Sequence, residues 1–132
     1  MKIIADTNVL IRFLMRDDEA QAAKAAEALT RADVVAIAIP SLCEVVWVLS
    51  QGYRFSADDI AHALRVLVGS HNVVVNQPAV EAGLSFLAAG GDFADGVIAY
   101  EGQWLGGETF VSFDKKAVKI LQDQGQQTRL LQ

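Results

Sequence analysis

The sequence predicts an α/β protein, a three-layer α/β/α sandwich around a central, mainly parallel sheet. Short apolar or β-branched runs alternate with longer stretches of helical period along the chain. Apolar residues make up 52% of the total and charged residues 20%, which suits a sheet covered on both faces. The 132 residues are enough for one core, so residues 1–132 are read as a single domain.

The elements follow in order. Residues 2–5 read as the first strand, ending at Asp6, and residues 9–15 and 19–31 as helices, the second rich in Ala. The β-branched run 34–39 is the second strand. Pro40-Ser41 introduces a helix over 42–51 that stops at Gly52, and a further helix covers 57–68 before Gly69. Residues 72–75 form the third strand, and a helix over 79–88 follows Pro78. After Gly90-Gly91, residues 93–104 read as a helix; after Gly106-Gly107, residues 109–113 form the fourth strand. A helix over 115–124 ends at Gly125, and 128–131 is a short last strand. No internal repeat or low-complexity linker interrupts the pattern.

Composition narrows the function classes. The single cysteine, Cys43, excludes an internal disulfide and points to a reducing cytoplasm. No leader peptide is visible before the first strand, and the longest apolar stretches, 34–40 and 45–49, are too short to span a bilayer, so no membrane role is expected. The formal charge of −5 is the wrong sign for a chain that binds nucleic acid through its overall field.

The chemistry gathers in acids. A carboxylate costs several kcal/mol to bury unless it is paired or binds something. Asp6 ends an apolar strand, so it is expected to be partly buried. Glu44, Asp95 and Asp114 each fall just past a strand end or early in a helix, on the expected carboxyl edge of a parallel sheet, where ligands bind in such folds. Together the four would make an oxygen cage for a hard cation such as Mg²⁺. Each acid also has a purely structural explanation. Ser41-Leu42-Cys43-Glu44 and Asp92-Phe93-Ala94-Asp95 have the spacing of capping boxes, and Asp6 and Asp114 suit helix N-caps. Ser56-Ala57-Asp58-Asp59 has the same capping pattern away from any strand end and is assigned no chemistry. Convergence separates the two readings, because caps need not meet, whereas four neighbouring carboxylates repel unless a cation joins them.

Other candidates carry less. Cys43 reads as a small core residue, His62 and His71 lack zinc-site spacing, and Trp47 and Trp104 read as packing residues. The glycines form no phosphate-binding loop. Lys115, Lys116 and Lys119 cluster beside Asp114, and Arg12 and Arg16 flank the same expected edge.

Four segments, in order, resemble the PIN-domain ribonucleases, and within them the VapC-type toxins of bacterial toxin–antitoxin pairs. They are Ile4-Ala5-Asp6-Thr7-Asn8-Val9-Leu10, Pro40-Ser41-Leu42-Cys43-Glu44-Val45, Asp92-Phe93-Ala94-Asp95-Gly96-Val97-Ile98-Ala99 and Thr109-Phe110-Val111-Ser112-Phe113-Asp114-Lys115. The resemblance implies a PIN-like fold and an acidic site of Asp6, Glu44, Asp95 and Asp114. Asn8 and Ser112 would support that site, and Asp92 is a second-rank member. Gly96 stands where the family often has Ala and is expected to weaken its helix. The resemblance further implies an endoribonuclease dependent on Mg²⁺ or Mn²⁺, with in-line attack leaving a 5′-phosphate. It also implies a cognate antitoxin and a homodimer.

The alternative is a non-catalytic α/β regulatory or binding module with an acidic metal pocket. A receiver-like domain needs an Asp at the end of the third strand, and that strand ends Val75-Asn76-Gln77. A haloacid-dehalogenase-type phosphatase needs Asp at position 8, where Asn8 stands.

Overall fold

The computed structural model describes all residues, 1–132. The chain forms two compact units, residues 1–76 and 77–132. All strand pairing is parallel, in one sheet of three strands and one of two.

In the first unit, strands β1 (Lys2–Ile4), β2 (Val34–Ala36) and β3 (Val73–Val74) lie in the order β1-β2-β3. Ile3 is in register with Val35, and Val35 with Val73. The connecting helices are α1 (Thr7–Met15), α2 (Glu19–Arg31), α3 (Ile39–Trp47) and α4 (Ala57–Val68). A π-helical turn, Val48–Gly52, extends α3. Leu10, Val35, Leu42, Val45, Leu49 and Leu64 are fully buried, contributed by α1, β2, α3, the π-helical turn and α4. Each such leucine or valine stabilises the fold by roughly 1.5–3 kcal/mol. The Asn72 side chain donates to the carbonyls of Leu29 and Ala32 at 2.8 and 3.0 Å, satisfying the end of α2 where it passes into β2.

The second unit runs α5 (Gln77–Ala88), α6 (Phe93–Trp104), β4 (Thr109–Ser112), α7 (Lys115–Asp123) and β5 (Gln127–Leu130). Thr109 pairs with Gln127 and Ser112 with Leu130. Phe86, Ala117, Ile120 and Leu121 form one buried cluster in it, with Ala99 and Phe110 packed against them.

Two glycines let α5 and α6 approach closely. A Cβ on Gly83 would lie 2.5 Å from the fully buried Phe93 ring, and a Cβ on Gly96 would lie 2.4 Å from the Ala82 carbonyl oxygen. Gly96 is therefore required by packing. The expected weakening of its helix is outweighed by contact that alanine cannot make.

Helix starts depart from expectation in one consistent way. Residues 42 and 79 were the expected first residues of the helices after Pro40 and Pro78, yet α3 begins at Ile39 and α5 at Gln77. Both prolines lie inside the first turn, where a missing N–H costs no hydrogen bond. Helix α1 likewise begins at Thr7, because Asp6 caps it.

Candidate active site

Asp6 is positioned by the stop of β1. Ala5 still donates to the Ala36 carbonyl at 3.1 Å and takes the inward, buried position. Asp6 is therefore turned outward and is exposed, contrary to the expected partial burial. Its carbonyl accepts from Val9 and Leu10, and its Oδ1 accepts from the Thr7 amide at 2.8 Å. It is the N-cap of α1.

Glu44 is not a cap. Because α3 starts at Ile39, Ser41 lies within the first turn and Glu44 in the second, too far along to reach a free amide. Its Oε1 instead accepts from Thr7 Oγ1 at 3.2 Å. The residue next to Asp6 thus tethers Glu44, and the first unit brings these two acids into one neighbourhood. Asn8 is exposed and makes no hydrogen bond to either acid. Sequence reasoning passed over Thr7, although it lies inside the Asp6-Thr7-Asn8 motif. Its hydroxyl next to a strand-end acid was the available signal.

In the second unit Asp92 caps α6, its Oδ1 accepting from the Ala94 amide at 3.3 Å. Asp95, in the first turn of the same helix, makes no reciprocal bond back to Asp92. Asp114 caps α7, accepting from Lys116 and Ala117 at 2.9 and 3.1 Å. Ser112, at the end of β4, accepts from the Asp114 amide at 2.9 Å and so fixes the turn that carries this acid. Burial pushes the Asp95 carboxyl above the usual carboxylate range, and the charges of Asp92 and Asp114 push it further. Of the neighbouring cations, Lys119 is held by Asp123 at 2.6 Å.

The donor chemistry suits a hard cation. All the candidate ligands are carboxylates, with no histidine or cysteine cluster among them. A cation would also relieve the repulsion on Asp95. Within neither unit do three acids stand close enough to ligate one ion. Asp92 and Asp114 reach Asp95 through their charge.

A family model, the PIN domain, matches residues 3–120 and so runs through both units. The chain belongs to the PIN-domain family. The parallel strands and seven helices are those of an α/β, PIN-like fold. PIN domains are generally nucleases that use divalent metal ions, and nuclease activity in general is what membership of the family supports here. No curated protein matched the chain significantly. No helix is long and apolar enough to cross a membrane.

Proposed function

We propose that the protein is an endoribonuclease dependent on Mg²⁺ or Mn²⁺, the toxin of a toxin–antitoxin pair. In this reading Asp6, Glu44, Asp95 and Asp114 hold the cation, and both units form one PIN domain. The observation that carries the proposal is Asp95, a half-buried carboxylate that caps nothing and faces two further acids. A fold keeps such a group ionised at neutral pH only at a cost, unless a cation neutralises it.

Bound there, the cation would supply an activated water and stabilise charge on the phosphate in flight. The protein's own residues position the acids. Thr7 orients Glu44, and Ser112 sets the Asp114 turn. The packing of α6 on α5 holds Asp95 in place. Three of the acids sit at helix N-termini, Asp6 and Asp114 as caps and Asp95 in a first turn. Single-stranded or looped RNA is the fitting substrate, because duplex RNA hides its bases. Trp47 and Trp104, expected from the sequence to be packing residues, are exposed, and with Leu105 they offer apolar surface to an antitoxin or a second copy of the chain.

The test is cleavage of single-stranded RNA with Mg²⁺ or Mn²⁺, with chelation and Asp6→Asn as controls. Cleavage should require both metal and Asp6. Equal cleavage by the variant and the wild type would identify a contaminating nuclease and sink the reading.

A further inference from the structure

Among residues with a Cβ, only Arg16 (φ 55°) and Arg54 (φ 57°) have left-handed backbone. That conformation is strained for any side chain larger than glycine's, and at a helix end such as Arg16's the usual occupant is Gly or Asn. The sequence neighbours of the two arginines meet across the chain. Arg16 directly precedes Asp17 and Arg54 directly follows Tyr53, and the Tyr53 hydroxyl donates to Asp17 Oδ2 at 2.6 Å.

Internal packing explains neither arginine. Both are exposed, and neither is in an ion pair. Arg12, in the same corner, is by contrast occupied, donating to Gln21 at 2.6 Å and to Asp17 at 3.3 Å. Asp17 is thus already satisfied by Tyr53 and Arg12, leaving the guanidinium groups of Arg16 and Arg54 uncommitted. Helix α1 starts at the cap Asp6 and ends at Arg16, ten residues on, about 15 Å at the helical rise. Guanidinium groups bind phosphate in fork geometry without reading sequence.

We propose that Arg16 and Arg54 form a phosphate clamp for a single-stranded polynucleotide, a few nucleotides along the strand from the Asp6 end of α1. The clamp rests on the nuclease reading above. It also answers the unfavourable net charge, because the cations that matter are two positioned residues and the overall field is secondary.

The experiment measures anisotropy of a labelled single-stranded RNA oligonucleotide on the full chain carrying Asp95→Asn, over a salt titration. Arg16→Gly and Arg54→Gly should each weaken binding several-fold and reduce the salt slope by about 0.7, the value for one lost single-strand phosphate contact. Their melting temperatures should hold or rise, because glycine relieves the left-handed backbone. Arg16→Lys and Arg54→Lys should keep the slope. Unchanged affinity and slope in both glycine variants overturn the clamp, as does weakening that only tracks a fall in melting temperature. Arginine-dependent binding of poly-L-glutamate without arginine-dependent RNA binding also overturns it, and identifies an acidic-protein site. Single-stranded DNA bound in place of RNA, with the same arginine dependence, supports the clamp and counts against the ribonuclease reading.

Discussion

Asp17 and Asp95 are the same chemical group, each within a few residues of a helix start, yet their surroundings push them in opposite directions. In the first unit, the Tyr53 hydroxyl and then Arg12 hold the Asp17 carboxyl below the ordinary range. In the second, burial and then the charges of Asp92 and Asp114 push the Asp95 carboxyl up. Asp17 finds all its partners within the fold. Asp95 is left with a charge that only a proton or an added cation can relieve. A carboxylate held for structure is surrounded by donors, whereas one kept for chemistry is surrounded by other acceptors.

The largest expected effect breaks the second half of that contrast. Asp95→Asn should lower metal-dependent RNA cleavage by about a hundredfold or more, read from initial rates on a labelled oligonucleotide. Retained activity would make Asp95 a bystander. Next, Mg²⁺ at a hundredfold excess over its dissociation constant should stabilise the wild type by about 2.7 kcal/mol, and Asp95→Asn should lose that gain. Calorimetry with and without chelator checks this, and no metal effect would count against the shared site.

Gly96→Ala should cost about 1–3 kcal/mol in denaturant unfolding, because its Cβ meets the Ala82 carbonyl. The smallest effect is the response to pH. The folded pKa of Asp95 is raised above 3.8, so its stabilising contribution is full at low pH and is lost as pH rises through the folded value. The folded pKa of Asp17 is lowered, so its contribution is present above the unfolded value and is lost as pH falls through the folded one. Melting curves from about pH 7 to about pH 3, across the carboxylate range, should therefore tilt in opposite directions for Asp95→Asn and Asp17→Asn. Tilts of the same sign would remove the distinction. Without metal at neutral pH, Asp95→Asn should melt above the wild type.

Much of the fold was legible in the sequence, and its errors share a cause. Alternating β-branched runs and helical periods predicted the α/β class and the parallel pairing. The two proline-led helices were placed late because proline was read as a signal before the helix, when its missing N–H fits inside the first turn. That slip made Ser41 look like a cap and Glu44 its partner. With the true start at Ile39, the capping explanation of Glu44 disappears and the Thr7 tether takes its place. Asp92, Asp114 and Ser56 were legible as caps because their bonds are local, spanning two or three residues. The Thr7–Glu44 and Tyr53–Asp17 bonds were not, because they join residues 37 and 36 positions apart. Gly96 was misjudged for a related reason. Helix propensity is a property of one segment, whereas its value here lies in a carbonyl on another helix.

The pair of notches at Gly83 and Gly96 has a genetic consequence. Neither residue carries a charge or touches a ligand, yet each admits no side chain at all without moving its neighbour. In a library of single substitutions screened for loss of cleavage, positions 83 and 96 should therefore stand out alongside the acids. Their signature would be low soluble yield, whereas an inactive acid variant would remain well folded. A tally of inactivating mutations alone would thus overcount the active site, and measuring abundance together with activity would separate the residues that do chemistry from those that hold α6 in place.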